Sequence, residues 1–90
     1  MTNKIVIGSL SMDLKRVALG YYNGSEKTAK RFSKEALKRK EEVEVKTVKP
    51  YIKELLVSLP KILRQKDNQK IAEDSLMYST LLQNYATHNS

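Results

Sequence analysis

The sequence predicts an all-α fold, a small antiparallel bundle of about four helices. Three observations carry this expectation. Apolar residues recur at helical spacing in four stretches, short turn signals separate most of them, and good helix formers fill the positions between.

The first helix is expected over residues 9–22. Leu10, Leu14, Val17, Ala18 and Tyr21 fall on one face at 100° per residue. Ser9 or Ser11 supplies an N-cap hydroxyl, and Asp13 suits the positive end of the helix dipole. Asn23-Gly24 ends the helix, because glycine tolerates the left-handed conformation of a C-cap. Residues 1–8 are read as an extended arm.

Ser25 is the next N-cap, and the second helix spans 26–42, with Ala29, Phe32, Ala36 and Val43 on a narrow apolar face. The short loop 23–25 makes these two helices neighbours. Residues 42–48 alternate polar and apolar, the period of a half-buried strand, and Lys4 to Ile7 is the other strand-like segment. A ribbon of two such strands is marginal in water, so an extended connection with its valines tucked under the helices is preferred.

The third helix is expected to begin near Thr47 to Pro50, a proline being accepted in a first turn, where its missing amide removes no bond. Val48, Tyr51, Ile52, Leu55, Leu56, Leu59, Ile62 and Leu63 share one sector that continues across Pro60. The expectation is one helix kinked at Pro60, or two segments packing against the same surface, whose dense stripe forms the heart of the core. Asp67-Asn68 signals a turn and cap, and the fourth helix runs from Gln69 to Thr87 with Ile71, Ala72, Ser75, Tyr78, Leu82, Tyr85 and Ala86 facing inward. Residues 88–90 are expected to fray.

The whole is read as one domain, since 90 residues divided in two would leave neither half large enough to fold alone. The chain has no cysteine, so disulfides and thiolate metal sites are excluded and a reducing, cytoplasmic setting is favoured. His88 is the single histidine. No apolar run approaches the ~20 residues that span a bilayer. No cofactor or metal is expected.

Net charge is +7, and the excess lies almost wholly in the first half of the chain. On the second helix Lys27, Lys30, Arg31, Lys34 and Lys38 form a basic stripe opposite Ala29, Phe32 and Ala36, and Lys15 and Arg16 of the first helix extend it. Such a line of cations suits an acidic protein partner or nucleic-acid phosphates. The plainer alternative is a solvated face, and Glu26–Lys30 and Glu35–Arg39 pairs at i,i+4 favour it. A helix-turn-helix base reader fits poorly, because the start of the second helix offers Glu26, Lys27 and Thr28 in place of Asn, Gln or Arg.

From Ser75 to Thr87 the fourth helix carries no charge, which marks either a central buried helix or a self-association surface built on Met77, Leu81 and Tyr85. Tyr21, Tyr22, Tyr51, Tyr78 and Tyr85 are read as core residues rather than a ligand cage. Glu41, Glu42 and Glu44 are read as solvated charges, and Glu73 and Asp74 point too far apart to share a metal. No catalytic set emerges. The expectation is a non-enzymatic interaction or regulatory module, self-associating as a homodimer and presenting a basic face to an acidic partner. The alternative is a sequence-tolerant nucleic-acid-binding accessory protein using the same stripe.

Overall fold

In a computed structural model, which describes residues 2–88, the chain forms four α-helices: α1 (Asn3–Tyr22), α2 (Glu26–Lys40), α3 (Pro50–Leu63) and α4 (Asn68–His88). No strand occurs among the described residues. The radius of gyration is 12.1 Å, close to the ~12 Å of a compact globule of this length.

α1 begins six residues earlier than expected, and residues 3–8 are its first turns rather than an extended arm. Thr2 is the N-cap, its hydroxyl accepting from the Ile5 amide, so Ser9 and Ser11 lie inside the helix. The cause is burial. Val6 and Ile7 join Leu10, Leu14 and Val17 in a solvent-free interior, which outweighs the poor helix propensity of β-branched residues. Asn3 holds this end in place: its side-chain amide donates to the Glu44 carbonyl (3.1 Å) and to Thr47 Oγ1 (2.6 Å), and its Oδ1 accepts from the Glu44 amide (2.8 Å). The start of α1 therefore meets the 3-10 turn at Val45–Thr47 through Asn3, and the two strand-like segments form no strand pair. In the connection Val43 is buried and Val48 half-buried, as expected, whereas Val45 is exposed.

The α1–α2 turn follows the sequence reading closely. Gly24 has φ +75°, Ser25 N–H donates to the Gly20 carbonyl (2.7 Å) and Gly24 N–H to that of Tyr21 (3.2 Å), which is the Schellman closure. Ser25 occupies the N-cap position, but its hydroxyl bonds Thr28 Oγ1 rather than a backbone amide. Just before the turn, Gly20 lies so near α2 that a Cβ there would stand 2.8 Å from the Ala29 nitrogen.

α2 ends at Lys40, two residues before the expected boundary. α3 starts at Pro50 and continues as one element through Pro60. Its Ile52, Leu56 and Leu59 are buried, with Leu55, Ile62 and Leu63 packed beside them. The heart of the core is nevertheless α1, which packs along both α2 and α4, while α3 covers a smaller area of α4 and α2. On α4 the expected inner face is buried at every position, with Ser79 added. Asp67 caps this helix by accepting from the Gln69 and Lys70 amides at 3.0 and 3.3 Å. His88, expected to fray, is its last helical residue; residues 89 and 90 lie outside the described part.

Small side chains let α1 and α4 approach closely. Ser79 Oγ donates to the Ser11 carbonyl (2.7 Å), and Ser11 Oγ sits between the Gly8 carbonyl (2.7 Å) and Gln83 Oε1 (2.8 Å).

Candidate basic docking face

α2 turns Ala29 and Ala36 inward and leaves Phe32 half-buried between α1 and α2, so the opposite side of the helix must face water. Lys27, Lys30, Arg31, Lys34 and Lys38 are all exposed. Lys30 pairs with Glu26 at 3.0 Å, and this carboxylate holds the ammonium above the usual lysine range. Lys27, Arg31, Lys34 and Lys38 make no ion pair among the described residues.

Arg16 reaches this face from α1. Its guanidinium stands 5.3 Å from the Phe32 ring centroid, and Arg31 approaches the same ring at 5.5 Å. Two cations on one aromatic ring fix guanidiniums that would otherwise be mobile. Lys15 does not join them. It points 100° away and lines a groove of about 300 Å³ between α1 and α4, beside Ser11, Met12, Leu76 and Gln83.

Arg39 was expected to pair with Glu35; it turns instead to Asp13 Oδ2 (3.6 Å) and Glu42 (3.7 Å). Asp13 sits in the middle of α1, not near its dipole end, and its side chain is only 7% exposed. Arg16 is its second cationic neighbour at 3.9 Å. At these distances the charges attract without hydrogen bonding, and Asp13 Oδ2 and Arg39 Nε have no other protein partner. Burial pushes the Asp13 carboxyl above the usual carboxylate range; Arg39 and Arg16 pull it back, and Glu35 adds to the rise. The sequence holds no direct signal for this pair. An acidic residue adjoining an apolar stripe, with surplus arginines on the neighbouring helix, was the available hint.

Behind the basic face lies a second groove, of about 390 Å³, where α2 meets the α3–α4 turn. Lys30, Lys34 and Arg64 line it with Glu26, Tyr21, Leu63 and Asn68. Arg64 carries no sequence signal for this groove, because it is distant from the stripe along the chain.

The remaining candidates separate. On α4, Met77 and Leu81 are exposed, and Leu76 with them. Tyr85 is not available for self-association: it is 9% exposed, meets Tyr51 edge to face at 6.0 Å, and its hydroxyl accepts from the Lys49 amide (3.3 Å). Its place at i+4 and i+8 from Leu81 and Met77 misled, because the drift of the helix carries it round to the core side. Of the tyrosines read as core residues, Tyr78 and Tyr85 are buried and Tyr21 half-buried, whereas Tyr22 and Tyr51 are exposed. Glu41 pairs with Lys40 and Glu42 with Arg39, as solvated charges do. No group of three metal-ligating side chains occurs among the described residues, and no helix there is long and apolar enough to cross a membrane.

No family model, curated protein or solved structure matches the chain.

Proposed function

We propose that this chain is a non-enzymatic binding module of the cytoplasm that docks an acidic protein partner on the outer face of α2 and self-associates through the outer face of α4. The observation that carries the first part is the state of the stripe: six cations, Arg16, Lys27, Lys30, Arg31, Lys34 and Lys38, lie exposed on one surface, and among the described residues two of them are paired, Lys30 with Glu26 at 3.0 Å and Arg16 with Asp13 at 3.9 Å. Uncompensated charge of one sign steers an oppositely charged partner and sets register along the helix. A protein is favoured over nucleic acid because the one aromatic ring beside the stripe cations, the half-buried Phe32, is already covered by two guanidiniums, leaving no platform for unpaired bases.

Self-association is supported by the charge map. Two copies of a +7 chain repel, and residues 75–87 are the long helical surface without charge, where like copies approach at least electrostatic penalty. Leu76, Met77 and Leu81 supply the apolar contact.

Fluorescence anisotropy with a labelled poly-glutamate peptide and a generic DNA duplex tests the docking reading. The peptide is expected to bind at about 50 mM salt and to lose at least tenfold in affinity when Lys30, Lys34 and Lys38 become Glu, with helical circular dichroism unchanged. Duplex binding tighter than peptide binding, falling linearly in log salt, would transfer the face to phosphates. No binding to either probe removes the reading altogether.

A further inference from the structure

The groove between α2 and the α3–α4 turn brings three cations from two helices to one concavity: Lys30 and Lys34, one turn apart on α2, and Arg64 at the C-cap of α3. One carboxylate, Glu26, shares the lining and is engaged by Lys30 at 3.0 Å. Three cations against one anion leave an excess of two positive charges. Lys34 and Arg64 make no ion pair among the described residues. The nearby carboxylate of Asp74 is already taken by Lys70 (3.3 Å) and by the Gln65 amide (2.9 Å).

The floor has a different character. Tyr21 and Leu63 pack against the buried cluster of Val17, Ala29 and Ile71, and Ile71 also faces the groove. An apolar base under a cationic rim lowers the local dielectric and strengthens each attraction above it. Cations held by separate helices on a rigid base also remain apart, as a multivalent anion requires.

We propose that this groove receives a phosphorylated side chain of the acidic partner. A phosphate monoester carries about −1.5 to −2 charge at neutral pH and three acceptor oxygens, which match an excess of two cations and the fork of Arg64. A carboxylate, with one charge, leaves a cation unmatched. The inference rests on the reading of α2 as a docking face, since Lys30 and Lys34 belong to both, but Arg64 belongs to the groove alone and Lys27 and Lys38 to the stripe alone. That division makes the two separable.

The experiment uses the full chain and two labelled acidic peptides identical except for one phosphoserine. The phosphorylated peptide is expected to bind about tenfold tighter or more, as charge-assisted bonds to a dianion would give. Arg64→Ala is expected to erase that preference and leave the unphosphorylated affinity unchanged, while the Lys27→Glu, Lys38→Glu double variant weakens both peptides alike. Arg64 is exposed, so its truncation leaves the fold intact, which circular dichroism checks. Equal affinity for the two peptides, or a preference that survives Arg64→Ala, overturns the proposal. Should neither peptide bind, the docking reading fails, and titration with inorganic phosphate followed by amide NMR still decides the groove: saturable shifts confined to Lys34, Arg64 and Asn68 support it, and their absence overturns it.

Discussion

Gly20 and Asp13 show how single residues set terms that their neighbours must meet. At Gly20 the backbones of α1 and α2 approach so closely that a methyl group would press on the nitrogen, Cα and Cβ of Ala29 at 2.8 to 3.0 Å. Gly20→Ala gains about 1 kcal/mol of helix propensity and incurs about 1–3 kcal/mol of overpacking against backbone that has nowhere to move. A net loss of about 1 kcal/mol is expected, seen as a lower urea midpoint with unchanged slope. An unchanged or raised midpoint would mean that the hairpin opens freely. At Asp13 the folded carboxyl titrates above its unfolded value, so its ionised form is disfavoured by folding. Whatever stability this group confers is present below the ordinary carboxylate range and is lost as pH rises through the raised pKa. The stability of the native chain relative to Asp13→Asn is therefore expected to fall between about pH 3 and about pH 7. Urea titrations of both proteins at the two pH values measure it, and a rise across that window would show that Arg39 and Arg16 outweigh burial.

At the scale of elements, α1 takes the central place that the sequence pattern gives to α3. α1 looks short and amphipathic in sequence, yet it lies against both α2 and α4. α4 carries no charge from Ser75 to Thr87 and so looks central, yet its outer side is open to solvent at Leu76, Met77, Thr80, Leu81 and Asn84. Absence of charge does not distinguish a buried helix from one whose outer face awaits a partner; only the positions of the other helices do. If α4 is the dimer surface, sedimentation at high protein concentration should give a dimer that Met77→Lys disperses to monomer without loss of helicity. A monomer in the unaltered chain would remove this role. The basic stripe of α2 was legible residue by residue, because helical period alone sorts Phe32 and Ala36 from the lysines. Lys15 was misplaced since adjacency in sequence is a 100° rotation on a helix, enough to move it from the α2 side of α1 to the α4 side. Arg64 was missed for the complementary reason: a groove between elements has no period.

For the molecule as a whole, charge is the dominant variable. An excess of +7 on 90 residues, with 12 of the 17 cations in the first 49, opposes compaction by self-repulsion. The ion pairs that offset it have at least one exposed partner, Asp13–Arg39 excepted, and are of small worth. Raising monovalent salt from about 20 mM to about 300 mM shortens the screening length several-fold and is expected to raise the thermal midpoint. A falling midpoint would show that Asp13–Arg39 and the surface pairs contribute more than the repulsion removes.

Four helices, the Gly24 turn, the Asp67 cap, the inner face of α4 and the outer face of α2 followed from the sequence by itself, because each depends on local propensity or on a period of 3.6 residues. The tertiary structure decided the rest. It drew residues 3–8 into α1, since burying Val6 and Ile7 gains more than β-branched propensity loses. It made α1 the centre. It also set Arg39 against Asp13 and Arg64 beside Lys34. These outcomes depend on which surfaces meet across long stretches of chain, and no local pattern encodes that.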